Sequence, residues 1–135
     1  MIRFIVISVI SGIIFAALDG FINANPLAQK LMVSYSPLAK TSINVPVGII
    51  IDLFYGFVMC AIFLLLYNSL PTENPVIKGL IYGLIIWFFR VLMSVLSTYM
   101  TLHIPIKTLA YILVAGLFEM LIIGIFYGLT IKPVK

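Results

Sequence analysis

The chain has 135 residues, 64% of them hydrophobic and only 9% charged, and its mean hydropathy is +1.28. Soluble domains carry about a quarter charged residues, so this chain lacks the polar surface to fold alone in water and points to a bilayer as its solvent. The formal charge of +4 comes from eight scattered Lys and Arg, with no basic run of the kind that holds nucleic acid.

Met1-Ile2-Arg3, followed by an apolar run through Leu18, has the outline of a signal peptide. Asn23-Ala24-Asn25 makes a poor cleavage region, and the segment reads as a retained first transmembrane helix over 2–21. Asp19 is expected at its end, in the interface. The connection from Ile22 to Val45 is the only long one. Within it Leu27, Leu31 and Tyr35 recur every four residues, which predicts a short amphipathic helix from Pro26 to Tyr35. Pro37 stops it, because the residue before a proline avoids helix. Lys40, Thr41 and Ser42 then lead back to a second span over 46–70.

A third span is expected over 75–100 and a fourth over 105–131. About twenty helical residues cross 30 Å of hydrocarbon, and backbone groups in lipid must pair within the segment. The polar alternation of an outer-membrane barrel is absent. The seven prolines, Pro26, Pro37, Pro46, Pro71, Pro75, Pro105 and Pro133, all fall at or near proposed ends. Asn25 and Asn74 precede prolines as natural N-caps. Tight turns at Leu70–Asn74 and Thr101–Ile104 make the helices they join antiparallel. The expected fold is therefore all-α: one membrane domain over 1–135, a four-transmembrane-helix bundle with a short amphipathic helix in the extramembrane loop 22–45. Arg3, Lys78, Lys132 and Lys135 on one side outnumber Lys30, Lys40 and Lys107 on the other, so the positive-inside rule puts both termini in the cytoplasm.

Polar residues inside the spans carry the functional signal. A charge within a hydrocarbon span is costly and needs a protein partner. Counting about 1.5 Å per residue, Arg90 and Glu119 each lie within about 3 Å of the middle of their helices, while Asp52 lies about 7–8 Å from the middle of the second helix, toward the long loop. Arg90 is thus bracketed in depth by two carboxylates, and its guanidinium suits either. The trio reads as a buried ion pair that fixes helix register, or as a proton or cation site in which two acids share one base. In a third reading one of the three faces another subunit. On a helical projection Gly79, Gly83, Ser94 and Ser97 share the Arg90 side, a stripe expected to face protein. Gly116, Gly124 and Gly128 recur at multiples of four on the fourth helix. The segments Gly79-Leu80-Ile81-Tyr82-Gly83 and Gly124-Ile125-Phe126-Tyr127-Gly128 fall at the same membrane face, which predicts close packing of the third and fourth helices or a glycine-lined groove.

Other chemistry is not signalled. Cys60 is alone, so there is no intrachain disulfide and no CxxC. His103 alone is a poor basis for a metal site. There is no Walker loop, HExxH, GxSxG or haem-binding histidine pair. No catalytic residue, metal or cofactor is expected, and the protein reads as non-enzymatic.

The layout resembles the small uncharacterised four-span inner-membrane proteins of bacteria and archaea. The likeness rests on Ala17-Leu18-Asp19-Gly20 closing the first span, a long first loop, Lys78-Gly79-Leu80-Ile81-Tyr82-Gly83 opening the third, and a glycine-rich last span holding Glu119. Small four-span multidrug exporters typically place an essential Glu in the first span. This chain has no acid there before Asp19, which argues against membership. The functional expectation is a transporter- or channel-like component in the inner membrane, acting as a homo-oligomer or as a subunit of a membrane complex. The alternatives are an accessory or assembly subunit, and a lipid- or quinone-binding protein using a cleft beside Gly116 and Gly124. The expected partners are the lipid bilayer and a small hydrophobic ligand, with no nucleic acid.

Overall fold

Three asparagines decide where helices begin. In the computed structural model, which describes residues 1–132, Asn25 Oδ1 accepts from the Ala28 amide at 2.8 Å and starts a short helix. Asn44 Oδ1 accepts from Val47 at 3.3 Å, and Asn74 Oδ1 accepts from Val76 and Ile77 at 3.0 and 3.3 Å. A proline follows each within two residues, where a first turn needs no amide donor. The elements are α1 (Ile2–Ala24), α2 (Pro26–Leu31) with a 3-10 turn (Met32–Tyr35), α3 (Val45–Leu66), α4 (Pro75–Trp87), a π turn (Phe88–Leu92), α5 (Met93–Thr101) and α6 (Ile106–Thr130). The described residues are all helix and connection, with no strand.

Four helices are long and apolar enough to cross a membrane: Ile2–Ala24, Val45–Leu66, Pro75–Thr101 and Ile106–Thr130. The second is shorter than expected. It ends at Leu66, and the Ser69 and Leu70 amides both turn back to the Leu66 carbonyl, so 67–70 forms the turn rather than the span. The start of α1 and the end of α6 lie together at one end of the bundle, where Arg3 Nη2 donates to the Thr130 carbonyl at 2.6 Å. Pro133 and Lys135 lie outside the described residues.

The bundle is two glycine-packed pairs. In the first, α1 meets α3 at Gly12 and Gly56: a methyl built on Gly12 would sit 2.7 Å from Leu53 Cα, and one on Gly56 would sit 2.6 Å from the Gly12 nitrogen. In the second, α4 meets α6 with Gly79 against Gly124, Gly128 against the Pro75 carbonyl, and Gly83 against the Met120 carbonyl. Only hydrogen fits at these positions, and the backbones approach accordingly.

Aromatic residues join the pairs. Phe63 of α3 lies edge-on to Tyr82 of α4 at 5.0 Å and 5.8 Å from Tyr127 of α6, and all three are fully buried. The Tyr82 hydroxyl donates to the Met59 carbonyl at 2.7 Å. The Tyr127 hydroxyl has Ser11 Oγ at 2.9 Å and the Gly56 carbonyl at 3.1 Å as acceptors, which links α6 to both members of the first pair. A buried hydroxyl needs such a partner, and each of these holds one pair to the other.

The third long helix is irregular. At the π turn the Met93 amide reaches back five residues to the Phe88 carbonyl. A residue four further along an α-helix is rotated by about 40° relative to the first, so a spacing of four drifts round the helix. The wider π turn takes up that drift. Gly79, Gly83, Trp87, Val91 and Val95 consequently stay on the α6 side: Trp87 Nε1 donates to the Leu113 carbonyl at 3.0 Å, Val91 fills the space at Gly116, and Val95 packs with Leu109. Ser94 and Ser97 end up exposed, which corrects the expectation that the whole stripe faces protein. The short helix differs too. Ala28 is its fully buried residue, and Thr108 Oγ1 donates to the Leu31 carbonyl at 2.7 Å, while Leu27 is exposed.

Candidate functional site

Each of the four long helices brings one ionisable side chain within electrostatic reach of two of the others. Arg90 comes from the π turn, Glu119 from α6, Asp19 from α1 and Asp52 from α3. Arg90 Nη1 lies 3.7 Å from Glu119 Oε1, close enough for an ion pair and too far for a hydrogen bond. The same nitrogen contacts Met120 Sδ at 3.8 Å. The guanidinium lies 4.6 Å from the ring centroid of Tyr55 and 5.6 Å from that of Phe15, where the ring quadrupole attracts a cation. Helices α1, α3 and α6 therefore all contribute to holding Arg90.

Glu119 is only 5% exposed, and its Oε1 has no hydrogen-bond partner among the described residues. Asp19 is the carboxylate neighbour of both Glu119 and Asp52. The guanidinium thus neighbours Glu119 and Asp52, and Asp19 neighbours those two acids. Asp19 is the member the sequence reading leaves out. It lies inside the helix rather than at its end, because α1 continues to Ala24, about 7–8 Å further along the axis. Asn25 makes that extension favourable: its Nδ2 donates to the Phe21 and Ile22 carbonyls at 3.0 and 2.9 Å, which helps satisfy the last turn. The signal available in the sequence was Asn25 serving two helices at once.

No protein-family model, curated protein or solved structure matches this chain. Its chemistry is therefore read from the geometry of the cluster and its surroundings.

Two hollows meet at Glu119. A polar cavity of about 210 Å³ is lined by Asp19, Asn23, Arg90, Ser94, Tyr111 and Glu119, with Met32 and Gly116 among the apolar remainder. Beside it runs an apolar groove of about 360 Å³ between α1 and α6, lined by Leu18, Phe21, Val114, Phe118 and Ile122. Tyr111 stands at the junction, its hydroxyl donating to the Ile22 carbonyl at 2.6 Å and accepting from Asn25 Nδ2 at 2.8 Å. Among the described residues no three His, Cys, Asp or Glu side chains are arranged to hold a metal ion.

The glycines play other parts. Gly79, Gly83, Gly124 and Gly128 are closed by the partner helix, so there is no cleft beside Gly124. Gly116 takes Val91 on one side and borders the polar cavity on another. Ser94 lines that cavity, whereas Ser97 is exposed and its carbonyl accepts from Thr101 Oγ1 at 2.8 Å. Three further residues matter more to packing than the sequence suggests. Ser11 and Gly56 form the crossing of the first pair. Lys78 is 3% exposed, donates to the Tyr67 carbonyl at 2.9 Å and lies 3.9 Å from the Tyr67 ring centroid, so it is part of the turn rather than a free flanking charge. His103 and Lys107 are exposed at the long-loop end.

Proposed function

We propose that this protein is a small integral component of the inner membrane that handles a proton or other cation through Asp19, Asp52 and Glu119, with Arg90 as their fixed countercharge. The observation that carries this reading is the buried Arg90–Glu119 pair sharing a polar cavity with a second acid, Asp19. A pair of opposite charges is enough to fix helix register. Two further acids are not needed for that purpose, and intramembrane acids in excess mark ion and proton pathways. The π turn at Arg90 supports the same reading, since such interruptions collect at functional sites. The polar cavity is small and lies toward one end, so a continuous route across the membrane would draw on a second copy or a larger complex.

Purified protein in liposomes loaded with a pH-sensitive dye, driven by a potassium diffusion potential, tests the proposal. Glu119→Gln should abolish cation flux while Trp87 fluorescence stays native-like. Equal flux from wild type, Glu119→Gln, Asp52→Asn and Asp19→Asn would leave the cluster with a structural role alone.

A further inference from the structure

The end of the bundle that holds Arg3 carries a separate pocket of about 320 Å³, set between α1, α3 and the end of α6. Its apolar walls are Phe4, Ile7, Cys60, Leu64 and Ile131. Ile7 and Cys60 are buried and lie one helical turn deeper than Arg3 and Leu64, about 6 Å along the axis. Arg3 and Lys132 also line the pocket, and both are exposed. Among the described residues no acid lines it. A basic side chain at a membrane surface ordinarily snorkels, swinging its charge into water on a flexible stem. Arg3 is restrained from doing so, because its Nη2 is tied to the Thr130 carbonyl. That bond uses one of five guanidinium N–H donors and leaves the others for a further acceptor. The fold therefore holds two like charges beside one apolar pocket, and the single ion pair among the described residues, Arg90–Glu119, involves neither.

We propose that this pocket is a site for one acidic phospholipid. Its phosphate sits between Arg3 and Lys132, and the first part of one acyl chain enters against Phe4, Ile7 and Leu64. A small anion would meet the charges and leave the apolar walls bare. A neutral amphiphile would cover the walls and leave the charges repelling each other. Phosphatidylcholine has a phosphate, but its own ammonium cancels the charge. Guanidinium matches phosphate oxygens in fork geometry, lysine adds a point charge, and basic pockets between membrane helices recognise lipid headgroups in this way. A pocket one turn deep takes only the start of the acyl chain, and the rest continues along the lipid-facing side of the bundle. None of the lining residues belongs to the Arg90 cluster, so the site stands apart from the cation reading.

Photolabelling of the full chain in phosphatidylcholine nanodiscs tests it. A phosphatidylglycerol probe with a diazirine near the head of one acyl chain should mark Phe4, Leu64 and Ile131. Added unlabelled phosphatidylglycerol should suppress those adducts, whereas glycerol phosphate, which has no chain for the pocket, should not. Lys132→Gln should lower labelling about fivefold, the effect of one basic residue near a membrane surface, and Arg3→Gln combined with it about twenty-five-fold. Lys132 is exposed, so the single variant reads charge alone, and native Trp87 emission checks the fold of the double variant. Leu64→Trp fills the pocket, keeps both charges and should lower labelling too. Glu119→Gln should leave labelling unchanged. Equal marking by the phosphatidylcholine analogue of the probe, adducts spread over all lipid-facing side chains, or full labelling of the double variant would overturn the proposal. Suppression by glycerol phosphate would overturn it in favour of a free anion, and loss of labelling in Glu119→Gln would overturn the assignment to this pocket.

Discussion

Adding a methyl at Gly83 should separate the third and fourth long helices by a measurable amount. A Cβ there would lie 2.6 Å from the Met120 carbonyl oxygen, and ordinary contact begins at 3.4 Å, so the helices must part by about 0.8 Å. A gap of about 0.5–1 Å forfeits a quarter to a half of each dispersion contact across it. Overpacking of this kind costs about 1–3 kcal/mol, offset by up to about 1 kcal/mol of helix propensity gained on replacing glycine with alanine. Gly83→Ala should therefore destabilise the fold by about 1–2 kcal/mol. Gly20→Ala and Gly48→Ala are internal controls, because nothing lies within 4 Å of a methyl at either site. Both should be neutral or stabilising by up to about 1 kcal/mol. Gly79 and Gly124 face each other, so one separation relieves both clashes, and the double alanine variant should cost less than the sum of the singles. Unfolding by SDS in mixed micelles gives the free energies. Trp87, the single tryptophan, reports on the contact itself through its hydrogen bond to the Leu113 carbonyl. Stabilisation of Gly83→Ala to the same extent as Gly20→Ala, with unchanged Trp87 emission, would refute the close approach.

Arg90→Leu should cost about 3 kcal/mol in the same titration, the lower end for breaking a buried pair, because Arg90 keeps 28% exposure while Glu119 keeps 6%. Adding Glu119→Gln should recover only part of that loss, since Asp19 and Asp52 remain; full recovery would mean that those two acids do not feel Arg90. Tyr127→Phe removes the donor that ties α6 to Ser11 and Gly56, and should cost about 1–2 kcal/mol, with faster hydrogen exchange at the α1–α3 crossing as the local readout. Asn74→Ala should cost about 1 kcal/mol and fray the start of α4, seen as lost amide protection at Val76 and Ile77.

The fold class and the four long helices were legible because hydropathy and proline placement act locally. Asn74 and Asn25 needed only the proline beside them to be read as caps. The relation of Arg90 to Glu119 follows from depth along two antiparallel helices, and 3.7 Å separates them in the structure. What could not be read depended on tertiary context. Phe88-Phe89-Arg90-Val91-Leu92 contains no glycine or proline, so nothing local announces a π turn, and the projection that put Ser94 and Ser97 on the Gly79 face assumed an unbroken α-helix. Asp19 looked terminal because the apolar run stops beside it, and its true depth depends on Asn25 closing the helix six residues later. Lys78 looked like an interfacial charge because its acceptor, the Tyr67 carbonyl, becomes available only when α3 ends early.

The division into two glycine-packed pairs also bears on how the protein is made. The first pair, α1 with α3, is complete in the chain by Leu66, before any residue of the second has left the ribosome. At that stage Asp19 and Asp52 have no arginine to face. Arg90 and Glu119 arrive later, with helices that pack on each other through Gly79, Gly83 and Gly124. The guanidinium then acts as a latch between two preassembled halves. Fragments 1–70 and 71–135, expressed together, should reassemble when Arg90 is present and remain apart when it is replaced by leucine.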